Sequence, residues 1–185
     1  MHQAIFDLLP QRLEFYEHWL TSEGLRDGSI GLAPMTAVLG FLRTERNYDQ
    51  ITSRAGQLAA EWTLASRPPL SRRTFGWMPR AFRVRAAMRA AAGMVNDISS
   101  GSAPSVRVRR QQARLVIRSS LFCSVRERHA TPLCSFYLAL ATATLQHFGI
   151  AARGNLEGCR ALGAESCVVA LDCSSAAVLH PARAA

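Results

Sequence analysis

The stretch that decides the fold is Asn155-Leu156-Glu157-Gly158-Cys159-Arg160-Ala161-Leu162-Gly163-Ala164-Glu165-Ser166-Cys167-Val168-Val169-Ala170-Leu171-Asp172. Cys167 to Asp172 is a short apolar run rich in β-branched residues, which predicts a buried strand. Ile150 to Cys159 predicts its partner, and the small residues between Leu162 and Ser166, with Gly163 among them, allow the chain to reverse. The stretch therefore reads as a hairpin with one cysteine at each strand end. Glu157 stands two residues before Cys159, and on a strand that spacing places both on one face.

Upstream of the hairpin, Pro132 to Phe148 reads as a helix that Gly149 ends, with Cys134 in its first turn. Unpaired backbone N–H groups at that position favour a thiolate. Val106-Arg107-Val108-Arg109 and Ala113 to Arg118 alternate with period two, and Ala113, Leu115 and Ile117 share one face. These predict two further strands.

The first part of the chain is helical by its spacing. Leu9, Leu13, Tyr16 and Leu20 predict an amphipathic helix over roughly the first 23 residues, with Gly24 as its stop. Asp27 to Ala33 reads as a loop, and Pro34 opens a helix through Leu42. Asn47 or Asp49 caps a third helix, through Ile51, Ala55, Leu58 and Trp62, that Pro68-Pro69 ends. Its Ala55-Gly56 and Ala59-Ala60 pairs are small enough to admit a close neighbour. A basic helix follows from Pro79 to Ile98, with Val84, Met88, Ala91 and Val95 as its apolar stripe and Arg80, Arg83, Arg85 and Arg89 off it. Ser99 to Ser105 reads as a loop.

The expected class is α+β: a helical N-terminal half packed on a small antiparallel sheet. A length of 185 residues suits a single domain over 1–185. Its parts would be a mainly helical 1–105, a strand-helix-hairpin 106–173 and a loose tail, 174–185.

The net charge is +9, and every basic residue is arginine. That balance favours anionic partners. Arg72-Arg73 and the helix from Pro79, with Phe75, Trp77 and Phe82 nearby, offer a basic patch with aromatics. The aromatics partly supply what a nucleic-acid reading wants, and peripheral contact of a basic amphipathic helix with a membrane fits equally well; nucleic acid is not the expected partner. The plainest reading is a core-packed helix with a solvated arginine face. Met1 to Pro10 has no signal-peptide pattern, so a cytoplasmic, reducing location is expected for the five cysteines. No window supplies the ~18 apolar residues of a membrane span.

Cys134, Glu157, Cys159 and Cys167 offer three soft thiolates and one carboxylate, a donor set suited to a structural zinc ion. The competing reading is that buried cysteines pack as small apolar groups. Cys123 and Cys173 read as ordinary cysteines. His129 reads as a solvated loop histidine, and His147 as a residue favoured by its helix C-terminus. No phosphate loop, nucleophile elbow or zinc-protease motif is found.

From Ala113 to Asp172 the chain resembles the 4-vinyl reductase domain family. The words that carry the likeness are Arg118-Ser119-Ser120-Leu121-Phe122-Cys123, Pro132-x-Cys134-x-Phe136, and Glu157-x-Cys159-x-x-x-Gly163-x-x-x-Cys167. That family includes bacteriochlorophyll 4-vinyl-reductase-type proteins and the aromatic-sensing domains of phenol- and xylene-responsive regulators, and it shares its fold with TRAPP transport proteins. The resemblance implies a zinc site on Cys134, Glu157, Cys159 and Cys167. This chain departs from the pattern by having only Gly158 between Glu157 and Cys159, where the family has two residues. It also implies an apolar pocket, for which Trp62, Phe122, Phe136 and Tyr137 are the lining candidates, each equally readable as core.

The function expected is binding of an apolar aromatic or tetrapyrrole-like molecule by a homodimeric protein. One alternative is an accessory or catalytic part in vinyl-group reduction of (bacterio)chlorophyll precursors. No dinucleotide, flavin or iron–sulfur motif supplies the electrons that catalysis of this kind needs, so enzyme activity is left open. A second alternative is a dimerising interaction module without ligand.

Overall fold

The computed structural model describes residues 1–17, 32–66, 78–125 and 128–174. Among these residues it forms α1 (His2–Leu8), α2 (Leu13–Glu17), α3 (Leu32–Leu42), α4 (Tyr48–Ala65), α5 (Arg80–Ile98), β1 (Pro104–Arg109), β2 (Gln112–Ile117), α6 (Ser135–His147), β3 (Arg153–Gly158) and β4 (Cys167–Asp172). The class is α+β, as the order of patterns predicts. Leu20, Gly24, Pro68-Pro69, Arg72-Arg73, Phe75, Trp77 and all but the first residue of the tail lie outside the described residues.

The four strands form one antiparallel sheet in the order β1-β2-β4-β3. Its inner face carries Ala113, Leu115 and Ile117 from β2 and Cys167, Val169 and Leu171 from β4, all buried. The alternation predicted for β2 is therefore the alternation observed. α5 packs on β1 and β2, α6 packs on β3 and β4, and α4 lies against α6.

The N-terminus departs from the single helix expected. The chain breaks at Leu9, whose φ of −144° and ψ of 51° are not helical, and a 3-10 turn over Pro10–Arg12 leads into α2. Pro10 explains the break, because a proline ring pushes the preceding residue out of the helical region. The apolar positions still turn inward: Leu9 and Tyr16 are buried.

α6 ends as expected at Gly149, whose φ of +70° suits glycine. The reversal is closed by Gly149 N–H donating to Gln146 O at 2.9 Å and Ile150 N–H donating to Leu145 O at 3.0 Å. Arg83 donates to Phe148 O at 3.3 Å, placing a cation at the same helix end. Arg80 similarly donates to Cys173 O. These two half-buried arginines tie α5 to its neighbours, whereas Arg85 and Arg89 form the exposed face expected of a basic helix.

The small residues of α4 serve α6. A methyl group added to Gly56 would collide with the Phe136 carbonyl oxygen and lie 3.1 Å from Leu140 N. The two helices thus touch backbone to backbone. Gly56→Ala is expected to cost about 1–3 kcal/mol through overpacking, despite alanine's better helix propensity. Urea denaturation against the parent chain checks the sign, since a net stabilisation would contradict this packing.

Candidate metal centre

Four cysteines arrive at one point from four elements. Cys123 closes a turn after β2, with its N–H donating to Ser120 O and to Ser120 Oγ, both at 3.2 Å. Cys134 occupies the N-cap position of α6. Cys159 follows β3, and Cys167 opens β4. All four are buried, and their sulfurs lie within 4.8 Å of one another. The close pairs are Cys134–Cys159 at 3.0 Å, Cys123–Cys134 at 3.3 Å, and Cys123–Cys159 and Cys123–Cys167 at 3.5 Å. All five cysteines of the chain are free thiols.

These separations suit one ion. Tetrahedral zinc with Zn–S bonds of ~2.3 Å sets its sulfurs about 3.8 Å apart. Adjustments of well under an ångström at most of these pairs would complete such a site. Among the described residues no carboxylate or imidazole joins the group, and the donors that meet there are four sulfurs.

Backbone donors already face the sulfurs. Leu133 N–H donates to Cys159 Sγ at 3.4 Å, and Arg160 N–H donates to Cys167 Sγ at 3.5 Å. The thiols also share protons with one another. Hydrogen bonds with Cys123 and then Cys134 pull the Cys167 thiol well below its usual range, against the effect of burial. Hydrogen bonds with Cys123 and then Cys167 push the Cys134 thiol up, and burial adds to this. A metal held by all four sulfurs would displace their protons.

The turn between Cys159 and Cys167 is built for reversal. A 3-10 turn covers Arg160–Leu162, and Gly163 follows with φ of +98°. Gly163 N–H donates to Arg160 O at 2.9 Å, and Ala164 N–H donates to Cys159 O at 3.2 Å. His129 N–H donates to Ala161 O at 2.7 Å, fastening the preceding loop to this turn. His129 is half-buried with its Nδ1 unpartnered, so it is less solvated than its charged surroundings suggest.

The sequence candidates separate into two groups. Cys134, Cys159 and Cys167 meet. Glu157 does not join them: it lies on the outer face of the sheet, accepting a 3.0 Å hydrogen bond from Arg114. The cause is a β-bulge. Leu156 pairs with Val169 and Gly158 with Val168, so Glu157 is the extra residue. The bulge breaks the period-two rule, and Glu157 and Cys159 point to opposite faces.

The fourth sulfur is Cys123, which had no local signal beyond its place in the Arg118–Cys123 word. Cys173 stays apart, with its N–H donating to Gln111 O at 2.7 Å.

The aromatic candidates also divide. Phe122 stacks on Phe136 with ring centres 4.5 Å apart, and Tyr137 meets both edge-on at 5.3 and 5.5 Å. All three are buried, and each neighbours a member of the cysteine group in sequence or lies one helical turn or less away. Trp62 is 57% exposed, and Leu64 is the last side chain of α4 that the core covers.

Replacing Gly163 with alanine is expected to lower stability by roughly 1–2 kcal/mol, from the left-handed backbone it would have to adopt. The added carbon would also lie 2.9 Å from Arg128 Nε. Thermal unfolding of Gly163→Ala beside the parent chain measures this, and an unchanged midpoint would contradict it.

No protein-family model matches the chain. No curated protein matches it either. Among solved structures, it is similar to the phenol-responsive sensory domain of the transcription activator PoxR with phenol, at 15% identity and a TM-score of 0.34, over 65% of this chain and 73% of that one. It is also similar to a trafficking protein particle complex subunit 3 from Naegleria fowleri covalently bound to palmitic acid, at 10% identity and a TM-score of 0.46, over 87% and 93% of the two chains. A third similar structure is an H-NOX protein from S. oneidensis in the Fe(II)NO ligation state, at 16% identity and a TM-score of 0.44, over 80% and 76%. None of the described helices is long and apolar enough to cross a membrane.

Proposed function

We propose that Cys123, Cys134, Cys159 and Cys167 hold one structural zinc ion, and that the chain is a small-molecule-binding module of the 4-vinyl reductase type. The observation that carries the proposal is the meeting of four buried sulfurs from four separate elements. Chance packing of small apolar groups does not require all four donors to be thiols. Four thiolates leave no open position, so the ion's task is to hold the fold rather than to act on a substrate. It would join the turn after β2, the start of α6 and the open end of the β3–β4 hairpin.

In this reading residues 1–185 act as one domain in a reducing, cytoplasmic setting that keeps the thiols free. The partner is an apolar aromatic or tetrapyrrole-like molecule received at Phe122, Phe136 and Tyr137. These rings adjoin the metal centre, so ligand entry and metal retention would be felt by the same side chains. Enzyme activity forms no part of the proposal.

Elemental analysis of the purified chain is expected to find one zinc per molecule. Serine at position 123, 134, 159 or 167 is expected to cut zinc retention at least about tenfold, while Cys173→Ser and Glu157→Gln keep it. Stripping the metal with a strong chelator is expected to lower the unfolding midpoint by more than about 10 °C. A metal-free protein whose stability ignores zinc would defeat the proposal.

Binding is tested by titrating a simple phenol and a porphyrin against the zinc-loaded chain and following intrinsic fluorescence. Phe122→Ala is expected to change the affinity for whichever ligand binds. A second reading, a dimerising module without ligand, is favoured by the mutual packing of the three rings, which leaves them as core. Exposed Phe15 and Phe41, 5.1 Å apart edge to face, would then belong to the interface. Failure of both ligands to bind, with a dimer in native mass spectrometry, would select it.

A further inference from the structure

Two side chains, Arg43 just after α3 and Tyr48 at the start of α4, reach the peptides that precede two of the cysteines. Arg43 Nη2 donates to Phe122 O at 2.9 Å, and Phe122 immediately precedes Cys123. Tyr48 Oη donates to Leu133 O at 3.2 Å, and Leu133 immediately precedes Cys134. These bonds span 79 and 85 residues of sequence and join the helical half to the metal-bearing half. The Phe122 and Leu133 carbonyls are thereby each fixed by a side chain from one short segment.

Arg43 is also an unusual charge. Its Nε is buried without a hydrogen-bond partner, and among the described residues it has no carboxylate partner. The nearby Glu45 pairs with Arg12 instead. Arg43 itself is half-buried, and a cation in that setting is favoured by an anion in reach. Tyr48 is influenced by both the guanidinium and the sulfurs. Its hydroxyl pKa is raised mainly by burial; Arg43 opposes this both by charge and by a hydrogen bond, while Cys123 and Cys134 add to the rise by charge. The guanidinium and the sulfurs therefore act on one hydroxyl.

A divalent ion held by four thiolates carries a net charge of about −2. The Leu133 and Arg160 N–H groups facing the sulfurs supply dipoles but no countercharge.

We propose that Arg43 and Tyr48 are the outer shell of the cysteine centre: Tyr48 positions the peptide before Cys134, while Arg43 positions the peptide before Cys123 and supplies a half-buried positive charge that favours the ion and its thiolates. This rests on the zinc reading. It adds that metal affinity is set partly from the helical half, by residues that touch no metal.

The test uses the full chain with zinc and a competing chromophoric chelator, comparing the parent with Arg43→Gln, Arg43→Lys and Tyr48→Phe. Arg43→Gln keeps a neutral donor and removes the charge, and it is expected to weaken zinc binding about 10- to 100-fold. Arg43→Lys is expected to recover most of that loss, a rescue that tracks charge rather than shape. Tyr48→Phe is expected to weaken binding about 3- to 10-fold. Cobalt substitution adds a spectroscopic readout: the sulfur-to-metal charge-transfer band should shift in Arg43→Gln and stay in place in Arg43→Lys.

Zinc affinity unchanged in Arg43→Gln, or equally poor in Arg43→Lys, overturns the role of the charge while leaving a zinc-binding parent intact. If Arg43→Gln does not fold, Tyr48→Phe and Arg43→Lys decide, and parental affinity in Tyr48→Phe overturns the positioning role. A parent chain that takes up no zinc overturns the metal reading and this inference together.

Discussion

The contact between α4 and α6 at Gly56 governs the geometry of the rest. With no side chain at that position, the α4 backbone meets the Phe136 carbonyl directly, and α6 is drawn in at its first turn. Cys134 stands two residues before Phe136, so the same contact sets where its sulfur lies. Tyr48 and Asp49, at the start of α4, then reach the beginning of α6 through Leu133 O and Ser135 Oγ. Ser135 Oγ donates to an Asp49 carboxylate oxygen at 2.8 Å. The helix that carries one sulfur is therefore located by packing and by two hydrogen bonds before any ion need be considered.

The other three sulfurs are located by the sheet. Cys167 pairs with Ile117 at the end of β2, which brings the start of β4 beside the turn that holds Cys123. The β3–β4 connection returns Cys159 to the same end through its 3-10 turn and Gly163. The sheet end and the start of α6 face each other across a space filled by sulfur on one side and by the rings of Phe122, Phe136 and Tyr137 on the other. Hydrophobic burial can assemble this region, but it cannot neutralise thiolates. Charge balance has to come from an ion, from protons, or from Arg43.

Much of this was legible in the residues. Period-two alternation located β2, the Pro132–Gly149 frame located α6, and the hairpin with its two cysteines followed from one glycine-containing turn. Three of the four sulfurs were singled out because each sits at the end of a recognisable element. Cys123 escaped because its turn has no periodicity to mark it; only the fold brings residue 123 to residue 167. Glu157 was misplaced by a rule that assumes an unbroken ladder, and a bulge leaves no mark in hydrophobic pattern. The break at Leu9 was more accessible, since Pro10 announces it. Trp62 fits the α4 stripe by spacing and still faces solvent, because spacing does not say where the covering neighbour ends.

The bulge gives this strand a hinge in its length. Glu157 is supernumerary in the pairing, so the ladder resumes at Gly158 in the same register whether or not a residue is spare there. Chain length can drift at that position over evolutionary time while Leu156 stays on the inner face and Cys159 stays at the sulfur group. An insertion or loss that would scramble a strand elsewhere is absorbed here, and what changes hands is only which neighbour is turned out toward Arg114.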